Sequence, residues 1–398
     1  MKIVYFNYLY DLYGISIGST RKAELLMDNL KKTGNDVKLY WLKKQPQNDQ
    51  SLKMKARNLL KKKFSKYLHD PKQFISNIKY LFTEYKILMR EKPDLIISRL
   101  ENYIFSSLLL AKLLKIPLII EADAPGVYEA NEFHKEFWQI KWLANYIEIA
   151  NLKKSNLSIC VSNAAREYFI ARGVPKEIIV TITNGADVEK FHPDIYPKKI
   201  LEKYCLNKKL IIGFVGSFHF WHGVNNLMEV IKEIITINKN TIFLMVGDGG
   251  PMKTKLNEFI GQQGLENRVI MTGYITYEEM PEYIAAMDIV LALYPNLNFF
   301  YYSPMKIFEY MACGKPVITT KIEQIAEIII DKNNGFLCDP DNIKQIIHNL
   351  TDLINSEELR KSIGKNARET IVKNYTWKCK AEQLSRLCVS ILQQFHNK

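Results

Sequence analysis

The sequence predicts an α/β protein of two domains, each a parallel sheet covered by helices. Three observations carry this. The chain has 398 residues, and at about 150 residues per domain that length fits two domains. Apolar runs of strand length alternate with helix-period segments along the chain, the pattern of βα units rather than hairpins. The alternation breaks at 192–199, where HPDIYPKK sets two prolines and several charges between two such series.

In the first series the strand-like runs are 3–6, 37–41, 95–98, 117–120, 157–161 and 178–182. Helical periodicity at 20–32 and 105–114 lies between them, and a basic insertion at about 43–92 interrupts the series. The second series runs 210–215, 241–246, 268–271, 289–293, 316–319 and 335–337, again with helical segments between. Two separate series imply two Rossmann-like domains, whose ligands sit beyond the C-terminal ends of the strands. A helix is expected over the tail, 375–398, with Leu384, Leu387, Val389, Ile391 and Leu392 as its apolar residues. The expected division is 1–192, 193–375 and a C-terminal helix, 376–398, packing back on the first domain.

With 47% hydrophobic residues each half can bury a core, and 24% charged residues argue against disorder. The first apolar run stops at Asp11, so no secretory signal is expected. The stretch 103–120 is broken by Lys112, Lys115 and Pro117, which argues against a membrane-spanning helix. Six scattered cysteines form no C-x-x-C pair and are expected to be reduced thiols of a cytoplasmic protein.

The formal net charge is +13, and between Trp41 and Lys92 there are 14 Lys and Arg against 4 Asp and Glu. In 51–68, SLKMKARNLLKKKFSKYL, the apolar Leu52, Ala56, Leu59, Leu60 and Phe64 recur at helical spacing among cations. Such a segment can lie on the anionic inner face of a membrane. The other reading is a solvated helix packed on its own domain. The stretch carries no nucleic-acid module, so nucleic acid is not an expected partner.

Five segments carry candidate chemistry. The strongest is SPMKIFEYMACGKPVI at 303–318. Here Ser303 could cap a helix starting at Pro304, where proline costs nothing. The free N–H groups near Met305 would suit phosphate, with Lys306 adding a point charge. Glu309, three residues on and on nearly the same face, could take a ribose diol.

The second segment is FVGSFHFWHGVNNL at 214–227, where Gly216 and Gly223 permit close backbone approach and His219 and His222 could bond phosphate oxygens. Histidines at this spacing without an acidic partner do not make a metal site. The third is VGDGGP at 246–251, a turn built on Gly247 and Gly249. Its G-x-G-x-x-G pattern is incomplete, which argues against NAD. The fourth is YGISIGSTR at 13–21, where Gly14 and Gly18 could turn backbone N–H groups toward a ligand. The fifth, EADAPGVYE at 121–129, leaves the end of a strand and offers Glu121 and Asp123 as a base or a sugar-hydroxyl ligand.

Taken in order, VS at 161–162, NGADVEKFHP at 184–193, GS at 216–217 with WHG at 221–223, GDG at 247–249, TGY at 272–274, the 303–318 block and GFLCDP at 335–340 resemble glycosyltransferase family 4. The resemblance implies a GT-B fold, two Rossmann-like domains facing across a cleft. It also implies a retaining transfer from a nucleotide-diphosphate sugar to a glycan or lipid-linked acceptor, without metal or other cofactor. By that resemblance Glu309 is the second Glu of the family's E-x7-E motif and holds the ribose. Residues Ser303 to Lys306 wrap the diphosphate, Gly273 and Tyr274 lie near the base, and Gly14 and Gly18 lie beside the donor phosphates.

Three positions depart from the family pattern. Tyr301 stands at the first Glu, Ser217 and His222 stand where a basic pair is usual, and Asp123 stands at a usual His. In the implied mechanism Arg99 and Asp123 hold the acceptor. A binding-only protein and a nucleotide-sugar epimerase are the competing readings of the same fold.

Overall fold

The computed structural model describes residues 1–9, 17–43, 52–133 and 140–397, and for 52–70 the backbone alone. Gly14 and the side chains of the basic segment 51–68 lie outside the described residues. The chain forms two compact units, Met1–Thr183 with Lys380–Lys398, and Asn184–Cys379.

The first unit runs β1 (Lys2–Asn7), α1 (Ile17–Lys32), β2 (Asp36–Trp41), α2 (Leu52–Glu91), β3 (Leu95–Arg99), α3 (Ser106–Leu114) and β4 (Leu118–Ala122). It continues with α4 (Gly126–Phe133), α5 (Lys141–Lys154), β5 (Leu157–Cys160), α6 (Asn163–Ala171) and β6 (Ile179–Thr181). Its six strands make one parallel sheet in the order β2-β1-β3-β4-β5-β6. The direction of winding reverses between β1 and β3.

The second unit runs α7 (Lys198–Lys203), β7 (Leu210–Val215), α8 (Val224–Ile237), β8 (Thr241–Val246), α9 (Lys253–Gln262), β9 (Val269–Met271), α10 (Met280–Ala285) and β10 (Ile289–Ala292). It closes with α11 (Met305–Ala312), β11 (Val317–Thr320), α12 (Glu323–Ile328), β12 (Phe336–Cys338), α13 (Ile343–Asn355) and α14 (Glu357–Asn374), before α15 (Trp377–His396). Its sheet is also parallel, ordered β12-β11-β10-β7-β8-β9, with the reversal between β7 and β10.

Continuous apolar runs become central strands because parallel sheets are covered on both faces. In β7, Ile211 and Val215 enter one core cluster with Ile307, Phe308 and Met311 of α11. Ile212 and Phe214 enter the other, with Leu227 and Ile231 of α8. This two-residue alternation fixes which helix lies on which face, and so brings α11 to the reversal point.

The units part at Thr183 and Asn184 rather than at 192. The reason is a set of bonds that hold 184–191 to the second unit. The Ala186 amide donates to the Tyr375 carbonyl at 2.9 Å. Arg368 donates to the carbonyls of Phe191 at 2.6 Å, Ala312 at 2.8 Å and Val188 at 3.0 Å. At the other end the return to the first unit begins at Lys380, where Asn35 Nδ2 donates to Ser385 Oγ at 3.1 Å. Among the described residues no helix is long and apolar enough to cross a membrane.

Candidate functional site

In the second unit the loops after β7 and β10 flank the reversal point, where ligands of open α/β sheets bind. Gly216 ends β7 with φ 146°, and a Cβ there would come 2.7 Å from Lys306 Nζ. Gly223 opens α8 with φ 70°, and a Cβ there would lie 1.4 Å from the Leu293 carbonyl oxygen. Only glycine brings the two loops this close. Gly247 donates its amide to the Gly273 carbonyl at 3.1 Å, and Phe218 donates to the Gly249 carbonyl at 2.9 Å, so these glycines brace the same edge. Tyr274 stands exposed beyond them.

The loop's histidines are held by contacts within the loop. His222 Nδ1 donates to the Ser217 carbonyl at 2.6 Å, and burial together with Lys306 holds the imidazole neutral, well below its usual pKa. With Nδ1 carrying the hydrogen, Nε2 is an acceptor. His219 is buried and stacks on Trp221 with ring centres 4.1 Å apart. Both rings shape the loop.

Lys306 lies in the first turn of α11. Its Nζ is buried, has no hydrogen-bond partner among the described residues, and sits 4.5 Å from the Phe214 ring centre and 5.9 Å from that of Tyr294. Burial pulls its pKa down to about 7, against the attraction of Glu309. Glu309 is buried, and burial pushes its carboxyl up to about 7 against Lys306 and Lys190. The helix itself is anchored by Tyr310, whose hydroxyl accepts from the Val215 amide at 2.6 Å and so ties α11 to the end of β7.

One expectation for this segment is corrected. Ser303 does not cap α11. The cap position is Pro304, which offers no side-chain bond, and the Ser303 hydroxyl accepts from the Asn184 amide at 3.0 Å. Asn184 Nδ2 also donates to the Ser303 carbonyl at 2.6 Å, so the loop before α11 is held from the 184–193 block. Tyr301 is fully buried against Phe299 and Tyr302, with ring centres 5.3 and 4.2 Å away. Its ring is part of the buried aromatic packing before α11.

In the first unit a second polar cluster lies at the C-terminal ends of β3 and β4. Lys22, from the buried face of α1, contacts Glu121 at 2.9 Å and pairs with Asp123. Tyr5 donates its hydroxyl to Glu121. Arg99 Nη1 lies 3.4 Å from Asp123 Oδ2 without hydrogen-bond geometry, and its Nε and Nη1 are buried with no hydrogen-bond partner among the described residues. Burial favours protonation of Asp123, but Lys22 and Arg99 outweigh it and keep the carboxyl below its ordinary pKa. A carboxylate held ionised by two cations is a poor proton acceptor and a good hydroxyl ligand. The role of base is therefore disfavoured for Asp123. Gly18 lies exposed in the first turn of α1.

Lys22, Asn184 and Tyr310 were not singled out from sequence. Only Lys22 left a signal: it falls on the same helical stripe as Leu26 and Leu30, where a lysine is out of place.

Lys306 Nζ, buried and without a hydrogen-bond partner among the described residues, thus lies at the winding reversal of a parallel sheet beside a glycine-tight loop. Residues 18–190 match the family model described as Glycosyltransferase Family 4, and residues 198–370 match that of Glycosyl transferases group 1. The chain belongs to this glycosyltransferase family. It is 26% identical over 322 residues to an uncharacterised glycosyltransferase of Methanocaldococcus jannaschii, covering 79% of each chain. It is 25% identical over 325 residues to the UDP-Gal:alpha-D-GlcNAc-diphosphoundecaprenol alpha-1,3-galactosyltransferase of Escherichia coli, covering 80% of this chain and 81% of that one. In fold it is similar to Anabaena HepE in complex with UDP, with TM-score 0.73, 18% identity, and coverage of 98% of this chain and 100% of that one. The sucrose-phosphate synthase of Thermosynechococcus elongatus gives TM-score 0.73 at 16% identity, with 99% of each chain covered. The fold is GT-B: two Rossmann-like α/β domains.

Proposed function

We propose that the chain is a retaining glycosyltransferase that moves a sugar from a nucleotide-diphosphate sugar to a glycan or lipid-linked acceptor in cell-surface polysaccharide or glycolipid assembly. The observation that carries this is the Lys306 ammonium, buried at the start of α11 with no hydrogen-bond partner among the described residues. A buried charge without a partner is costly, and a diphosphate is the ligand that would repay it. The first amides of α11 have no partner within the helix and would add donors to the same anion. Glu309, one turn on, would accept from the ribose hydroxyls.

The protein's task at the leaving group is to stabilise charge that grows as the glycosidic bond breaks. Lys306 and the α11 amides do this, and on this reading no metal is required. Arg99 and Asp123 bind and orient the acceptor, the departing phosphate takes the acceptor's proton, and the new bond forms on the face the leaving group vacates. The acceptor class is supported by the diphosphoundecaprenol substrate of the Escherichia coli relative and by a Staphylococcus aureus capsular polysaccharide glycosyltransferase that is 25% identical over 255 residues.

The test is transfer from UDP- and GDP-sugars to lipid-diphosphate and glycan acceptors, with the product's anomeric configuration read by NMR and EDTA present in a parallel arm. Retention that EDTA leaves intact is expected. An inverted product, or hydrolysis alone with every acceptor, would overturn the reading.

A pH dependence follows from Lys306. Its folded pKa is near 7, so above that pH the free protein carries mostly neutral amine. Anion binding favours the charged form and draws in a proton. Nucleoside-diphosphate affinity is expected to fall by up to about tenfold per pH unit above 7, with proton uptake measurable by calorimetry in two buffers of different ionisation enthalpy.

A further inference from the structure

The C-terminal half of α2 carries a surface that the transferase reading does not use. Phe74, Ile75, Ile78, Phe82, Tyr85 and Met89 are 42, 60, 59, 68, 42 and 49% exposed. At 100° per residue they fall in one band about 100° wide. Lys72, Lys79, Lys86 and Arg90, all exposed, form a second band along one edge of it, three of them spaced seven residues apart.

Two buried polar residues fix this orientation on the opposite side of the helix. Asn77 Oδ1 accepts the amides of Phe105 at 2.8 Å and Ser106 at 3.1 Å. Glu84 accepts the hydroxyls of Tyr8 at 3.0 Å, Ser106 at 2.5 Å and Ser107 at 2.8 Å. Glu84 is also the only carboxylate between 71 and 90, and it is buried. Among the described residues the exposed face therefore carries apolar groups and cations, and the one nearby carboxylate, Glu91 at the helix end, is largely buried and paired with Arg90 at 2.9 Å and Lys2 at 3.1 Å. Beside it α3 exposes Leu109 and Leu113, 45 and 73%, with Lys112 and Lys115.

We propose that this face of α2 seats the protein on an anionic phospholipid surface, with the apolar band at the acyl boundary and the cation row on the headgroup phosphates. Charge selects this occupant. A helix lying in the interface plane pairs an apolar stripe with lysines whose stems reach up to the phosphates, and the absence of exposed carboxylates among the described residues of this face removes repulsion from an anionic surface. The proposal is independent of the donor site, since seating on lipid needs neither nucleotide nor acceptor.

The experiment is flotation of the full chain with phosphatidylglycerol–phosphatidylcholine vesicles and with pure phosphatidylcholine vesicles, at low and high salt. Wild type is expected to float with the anionic vesicles, and high salt to release it. The I78D/F82D pair should abolish flotation. K79E/K86E should weaken binding by about fivefold or more per residue. I237D, at an exposed residue of the second unit, should change nothing. Circular dichroism and the thermal shift given by nucleoside diphosphate would confirm that each variant is folded. The proposal is overturned if wild type ignores anionic vesicles or if I78D/F82D floats like wild type. It is equally overturned if wild type stays off vesicles while I78D/F82D converts a dimer to a monomer by light scattering, because a second copy would then cover the face.

Discussion

Replacing Lys306 with methionine is expected to slow transfer by two to three orders of magnitude, about the cost of removing one preorganised donor to a developing anion. The ligand-free protein should nevertheless be at least as stable as wild type. A structural lysine would behave in the opposite way, because its loss would break a pairing. Lys306 has no hydrogen-bond partner to lose among the described residues, and burial works against its charge. Its folded pKa lies below the unfolded value, so the cost of the charge is full below about pH 7 and fades as pH rises toward the ordinary lysine range. The stability gained in Lys306→Met should therefore be largest near pH 6.5 and absent near pH 10.5. Thermal midpoints at the two pH values, with initial rates near neutrality, measure both halves. A variant that is slow and also less stable at pH 6.5 would mark Lys306 as a structural residue.

The second large effect is expected in the first unit. Lys22→Met should destabilise the protein by about 3–5 kcal/mol at neutral pH, the usual cost of removing one partner from a buried ion pair. Two carboxylates, Glu121 and Asp123, share this ammonium, and Arg99 alone remains near Asp123. Asp123 owes its lowered pKa to Lys22 and Arg99 against the opposing effect of burial. That stabilisation is present at neutral pH and is lost as pH falls through the folded pKa. The deficit of the variant should therefore shrink only in strong acid, below the ordinary aspartate pKa, where Asp123 protonates. Urea midpoints at pH 7.5 and pH 3 test this, and equal midpoints for wild type and variant at pH 7.5 would contradict it.

These two lysines show what can be read from a sequence and what cannot. The apolar runs located the twelve described strands to within two residues at either end, because parallel strands buried on both faces must be apolar throughout. Lys306 and Glu309 were legible because one helix carries both, and local spacing is visible along the chain. Asn184 holds Ser303 from 119 residues away, and Lys22 meets Asp123 from 101 away. No local pattern encodes which distant backbone group or carboxylate a side chain will meet. The burial of Tyr301 was hidden for a related reason. Its place in the motif gives a position, whereas burial against Phe299 and Tyr302 decides where the ring points. The unit boundary was misplaced because the prolines at 193 and 197 mark a loop, while Arg368, far along the chain, decides which unit the preceding segment joins.

The most direct test of the anion seat is calorimetric titration of UDP, GDP and ADP into wild type and Lys306→Met at pH 7. At least one nucleotide is expected to bind wild type, and the same nucleotide should bind the variant more weakly by about tenfold or more, as suits a lost charge-assisted contact. Equal affinity in the two proteins would show that the diphosphate is neutralised elsewhere, and the account of the site built on Lys306 would fail.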